Sequence, residues 1–203
     1  GLITGETWTA TTIYLTPTTL GAITFNFLMS LSGGLLVAYI ISKGDPFWTY
    51  SGGLAGIITA SAGNDLYHPI QAMFIAGIGT FIAYKMHYWV ERTFKIDDAV
   101  GAVAVHGYAG FAGLVIAGFM LWGYPSSPYE GYAAINPLGN TIGAVIMFFV
   151  LGFIPAWIVS KILNGMGLLR IPREVELMGL DFKTLADEEA AREDVRNAEK
   201  ALV

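Results

Sequence analysis

The chain has 203 residues and a net charge of −5; 54% of its residues are hydrophobic, 13% are charged, 25 are glycine and none is cysteine. Missing thiols exclude disulfides, thiolate metal sites and a cysteine nucleophile, and no basic patch suggests nucleic acid. So little charge beside so much apolar side chain and glycine points away from a soluble domain, and lipid is the expected solvent.

The chain opens at Gly1 with no signal-peptide pattern, as a fragment or a processed product would. A helix crossing the roughly 30 Å hydrocarbon core needs about 20 mostly apolar residues. Five segments meet or approach this, at residues 20–41, 47–63, 70–90, 99–122 and 140–163. The second, FWTYSGGLAGIITASAG, is short and glycine-rich, so it is expected to be tilted, interrupted or dependent on its neighbours.

Basic residues orient these spans. Lys43 follows the first, Lys85, Arg92 and Lys95 close the third, and Lys161 and Arg170 close the fifth, whereas residues 64–69 and 123–138 contain no Lys or Arg. All the basic residues therefore fall on one side, giving an outside amino terminus and a cytoplasmic carboxy terminus. Lys85 is close enough to that side for its stem to carry the ammonium to the interface. Trp48, Trp89 and Trp122 fall near span ends, where indole rings anchor at the headgroup level.

Small residues at Gly33, Gly34, Ser51, Gly52, Gly53, Gly56, Ala76, Gly77, Gly107, Gly110 and Gly113 predict close helix contacts, because in lipid helices gain from van der Waals approach rather than from hydrophobic burial. The threefold spacing of Gly107, Gly110 and Gly113 predicts one flat strip on the fourth span. That span, AVAVHGYAGFAGLVIAG, holds a single residue that can carry charge near neutral pH, His106. At about seven residues, or roughly 10 Å, from the near end it is too deep for easy snorkelling. An imidazole there costs on the order of several kcal/mol unless it is neutral, paired or wetted. Its one donor and one acceptor suit an interhelical hydrogen bond, proton transfer or the orientation of a polar solute. Metal ligation is disfavoured, since Gly110 stands at the i+4 place. His68 and His87 fall at span edges and are expected to be interfacial.

After Asn164 the character changes, with nine of the sixteen acidic residues. From Thr184 the sequence predicts a solvated helix, with a Thr184–Asp187 capping box, a Glu188–Arg192 pair and an apolar stripe at Ala191, Val195, Ala198 and Leu202. The fold class is thus all-α, a polytopic membrane helix bundle of about five transmembrane helices over residues 1–163 with a cytoplasmic tail over 164–203. No nucleophile triad, phosphate loop or metal cluster supports an enzyme, and no cofactor is expected.

The segment ERTFKIDDAVGAVAVHGYAGFAGLVIAGF resembles the ammonium transporter (Amt/Mep/Rh) family, in which a basic loop, an acidic pair and a VHG histidine open a late transmembrane helix. SGGLAGIITASAG upstream and LRIPREVELMGLD downstream are similar to the family as well. The resemblance implies a plasma-membrane homotrimer with a pore in each subunit, eleven spans per subunit, and two facing histidines that relay a proton as ammonium is deprotonated and ammonia passes. His106 matches the second histidine, and Ser61 falls where a small polar residue faces the pathway. The five spans correspond to the family's last five. The amino-terminal half of the pore, with the partner histidine, is then missing from these residues, and the chain alone is expected not to enclose a complete pore. Three departures stand out: Ala99 and Val100 follow Asp98, Gly101 stands where a further acid is usual, and Leu2 in GLITG stands where a pore phenylalanine is expected. The resemblance also implies a PII-type regulator at the cytoplasmic tail. An ammonium sensor without appreciable flux and a structural membrane subunit are the alternatives.

Overall fold

Cap–proline pairs begin three of the helices. In the computed structural model, which describes residues 20–126 and 131–171, Asp45–Pro46, His68–Pro69 and Asn136–Pro137 each place a side-chain acceptor at the N-cap and a proline in the first turn. Proline fits there because its missing N–H has no intrahelical partner to lose. The helices are α1 (Leu20–Ser42), α2 (Pro46–Ala60), α3 (Pro69–Phe94), α4 (Val103–Met120) and α5 (Pro137–Gly165). Both α4 and α5 contain π-helical stretches, Val103–Tyr108 and Ile146–Phe153. Apart from one isolated bridge between Pro125 and Ala134, the described residues form no β-structure.

The architecture is an all-α membrane helix bundle. By length and composition, α1, α4 and α5 can each cross a membrane. At 15 residues, α2 reaches only about 22 Å, and α3 has the length but carries Lys85, Glu91 and Arg92 towards its end. The short helix survives by burial: Trp48, Gly52, Gly53, Ala55, Gly56, Thr59 and Ala60 are all enclosed. Lys85 lies at the surface with its ammonium near the Phe81 and Tyr84 rings.

Close approach is concentrated where α1, α2 and α3 meet. A Cβ on Gly34 would collide with the Gly52 carbonyl and come within 3.1 Å of Gly56 Cα; one on Gly56 would come within 2.8 Å of the Ser30 carbonyl. The strip expected on α4 does not form as one surface. Gly113 meets the main chain of Thr59 in α2, Gly107 faces the Phe148 ring of α5 and Gly110 has only an ordinary contact with Ile58. Gly110 and Gly113, both in the α-helical part of α4, face α2, whereas Gly107, in the π stretch, faces α5.

Trp48 differs from its expected place at the lipid interface: it is 3% exposed, and its indole N–H donates to the Tyr88 hydroxyl at 3.1 Å. Trp89 and Trp122 remain exposed.

The chain divides into two compact units, Gly1–Gly152 and Phe153–Val203. In the second, the described part is the helical stretch Ile154–Gly165 and the irregular chain to Ile171. Leu2 and the GLITG turn, most of LRIPREVELMGLD and the tail helix from Thr184 lie outside the described residues.

Candidate functional site

The head of α4 is built by the turn before it. Gly101 has φ +69°, a conformation that L side chains rarely adopt and glycine takes without penalty. Its amide donates to the Asp98 carbonyl at 2.8 Å, and the folded-back turn brings the Asp98 carboxylate onto the open end of the helix. Asp98 Oδ1 accepts from Val103 N–H at 3.0 Å and Oδ2 from Ala104 N–H at 3.1 Å. An anion accepting the first free amides of a helix is a favourable cap.

From this cap the chain makes a π turn, in which Ala109 N–H donates to the Ala104 carbonyl. Such wide turns are rare and often occur at functional sites. Ala104, Val105 and Ala109 are buried in one cluster with Ala55 of α2 and Ala83 of α3. His106, next to Val105, is exposed. The imidazole therefore lies outside the core that joins α4 to α2 and α3, on a helix whose other residues are apolar or small.

Ser61 caps the end of α2; its hydroxyl donates to the Ile57 carbonyl at 2.6 Å and the residue is exposed. The structure does not bring it to His106. Thr59, two residues before Ser61, already packs at the level of Gly113, which is seven residues, or about 10 Å, farther along α4 than His106.

His68 is the exposed N-cap of α3, its Nδ1 accepting from Ile70 N–H at 3.3 Å. His87 departs from the interfacial position expected for it: it is 7% exposed. Its Nε2 lies 3.3 Å from Glu91 Oε1 and its Nδ1 3.5 Å from Asp98 Oδ2. The second contact is longer than a hydrogen bond, and Nδ1 has no hydrogen-bond partner. Trp48 and Tyr88 pack edge-on against the ring, with centroids at 5.0 and 5.1 Å. The i,i+4 spacing of His87 and Glu91 was visible in sequence; the approach of Asp98 was not, because it depends on the Gly101 turn. Among the described residues, no three His, Cys, Asp or Glu side chains are grouped to hold a metal ion.

A sequence model of the Ammonium Transporter Family matches residues 4–190. The chain belongs to that family. It is 34% identical over 160 residues to ammonium transporter Amt2 of Methanocaldococcus jannaschii, an alignment covering 76% of this chain and 36% of that protein. It is 31% identical over 162 residues to Amt1 of the same organism, covering 77% and 39%. With the ammonium transporter of Corynebacterium glutamicum it shares 27% identity over 165 residues, covering 76% and 36%. The chain spans little more than a third of the length of these relatives. In this member of the Ammonium Transporter Family, the positive φ of Gly101 is what the turn beneath Asp98 requires.

Proposed function

We propose that this chain forms part of an ammonium/ammonia pathway across a lipid bilayer and that His106 takes part in moving the proton. The observation that carries this reading is an exposed imidazole on an otherwise apolar helix of a membrane bundle, inside the family match. Facing lipid, it would cost on the order of several kcal/mol; facing a polar path closed by another segment of the assembly, it is wetted or paired. A bare ammonium ion entering a narrow apolar path pays a steep desolvation cost, whereas ammonia does not. A neutral imidazole can accept the proton that ammonium leaves and pass it on.

Ser61 contributes farther along. Its hydroxyl hydrogen is committed to Ile57, so its lone pairs remain to accept from an N–H of the solute. The amino-terminal half of the pore, with a second histidine, supplies the opposite wall. Residues 1–163 form five spans and 164–203 a cytoplasmic region, in a homotrimer of the plasma membrane whose basic ends face the cytoplasm, where a PII-type regulator would dock.

The test is ammonium-dependent current in membranes holding the complete assembly. His106→Ala is expected to lower the current or change its selectivity over potassium, and unchanged current and selectivity would end the relay role. Ammonium binding without flux in the wild type would favour a sensor instead.

A further inference from the structure

His87 takes no part in the pathway just proposed, yet it is the most enclosed of the three histidines and touches the cap of the helix that carries His106. Both of its ring nitrogens face carboxylate oxygens, Glu91 Oε1 at 3.3 Å and Asp98 Oδ2 at 3.5 Å. Both Asp98 oxygens are acceptors, each taking a main-chain N–H at the head of α4. A neutral imidazole has one donor nitrogen and one acceptor nitrogen. In that form one nitrogen would present a lone pair to a carboxylate oxygen with no proton between them, in a site closed by Trp48, Tyr88 and Phe47. Only the imidazolium turns a proton towards both carboxylates, and at 3.5 Å its hold on Asp98 is a charge contact rather than a hydrogen bond.

We propose that His87 is a positioning residue: as an imidazolium between Glu91 and Asp98, it holds the Asp98 carboxylate on the Val103 and Ala104 amides and so fixes the π turn that presents His106. The proposal rests on His106 lining the pathway only for its functional consequence; the coupling from His87 to the cap is independent of it. The chain of contact is short. His87 meets Asp98, Asp98 bonds Ala104, and His106 is two residues beyond. Three apolar neighbours of His106 in that turn are locked in the α2–α3 core, so a change at the cap cannot be absorbed by sliding the whole helix and must alter the turn.

Around the ring, from α3 come Glu91, Tyr84 and Tyr88, with Arg92 5.8 Å above the Tyr88 ring. From the α3–α4 connection comes Asp98. From α2 come the uncharged Phe47 and Trp48, with Asp45 behind them, its carboxylate held by the Trp48 amide; α4 contributes main-chain amides. The carboxylates are thus the near partners, and loss of the His87 proton removes a donor from one of them.

The experiment uses protein labelled with nitrogen-15 and purified from membranes in its native assembly. Nitrogen shifts of His87 report whether both ring nitrogens carry protons, and exchange protection of the Val103 and Ala104 amides, corrected for intrinsic rate, reports the cap. We expect a doubly protonated ring. His87→Gln should lower this protection on the order of tenfold, the scale of one charge-assisted contact, and move the His106 nitrogen shifts, while amides of α1 stay protected. A singly protonated His87 beside fully protected amides would overturn the proposal without any variant having to fold, as would unchanged amide protection in His87→Gln. None of these readouts involves ammonium flux, so a failure of the transport reading and a failure of this coupling are separately visible.

Discussion

Gly34→Ala tests the packing that holds the short helix α2 in place. The new Cβ would fall on the Gly52 carbonyl and within 3.1 Å of Gly52 C and Gly56 Cα. All are main-chain atoms, so no rotamer change relieves the contact, and α1 must move away from α2. Since comfortable carbon contacts lie near 3.5–4.0 Å, the helices must part by roughly 1 Å, enough to forfeit about a quarter to a half of the attraction between atoms left across the gap. The opening also spreads, because Gly52 packs near Thr80 and Gly56 near Ala76, both of α3. Overpacking of this kind costs about 1–3 kcal/mol, and a backbone obstacle places this site in the upper part of the range. For a chain of this size, about 2 kcal/mol corresponds to a melting point lower by roughly 4–8 °C. The assay is thermal unfolding of the solubilised protein, followed by fluorescence of the buried Trp48 and the other indoles. Gly143→Ala is the matched control: it is helical, a Cβ there meets nothing within 4 Å, and the change should be neutral or stabilising by up to about 1 kcal/mol. If Gly34→Ala melts with the wild type, or if both variants lose equally, close glycine packing is not what secures α2.

Two further outcomes follow from the caps and loops. Asn136 Oδ1 accepts from Gly139 N–H at 2.7 Å, so Asn136→Ala should cost about 1 kcal/mol and Asn136→Ser should recover most of it, read from the same unfolding curves. In the α2–α3 connection, burial pushes the Asp65 carboxyl above its ordinary value of 3.8, outweighing a main-chain hydrogen bond that lowers it. The folded state therefore holds this proton more tightly than the unfolded state, so its contribution to stability is full below the unfolded value and is lost as pH rises through the raised one. Asp65→Asn should flatten that part of the unfolding midpoint against pH; an unaltered slope would exclude Asp65 as its source.

Helix positions were legible because they depend on long uncharged stretches and on breakers: the expected span at residues 20–41 became Leu20–Ser42 and that at 140–163 became Pro137–Gly165. The helices expected from residues 47 and 140 start instead at Pro46 and Pro137, behind the cap–proline pairs Asp45–Pro46 and Asn136–Pro137 that apolar run length does not register. His106 stood out for a similarly local reason, being the one residue in 102–118 that can carry charge near neutral pH. Trp48 and His87 were misjudged because position along a span measures depth and not facing. Trp48 lies near the start of a short helix, but its neighbours α1 and α3 enclose that helix; His87 lies near the end of a long one, on the side that meets α2.

Apolar run length, turn residues and charge spacing act through the chain's own neighbourhood, and from them alone came an all-helical membrane bundle, its helices in order and the isolation of His106. The partners of His87, the split of the α4 glycines between α2 and α5 and the separation of Ser61 from His106 belong to a different class of fact. Each depends on how helices distant in sequence lie against one another, and a 3.6-residue repeat cannot foresee a π turn that shifts its phase by a residue. Asp98 shows both limits at once: its acidity was written in the sequence, but its hold on α4 required a left-handed glycine to turn the chain back.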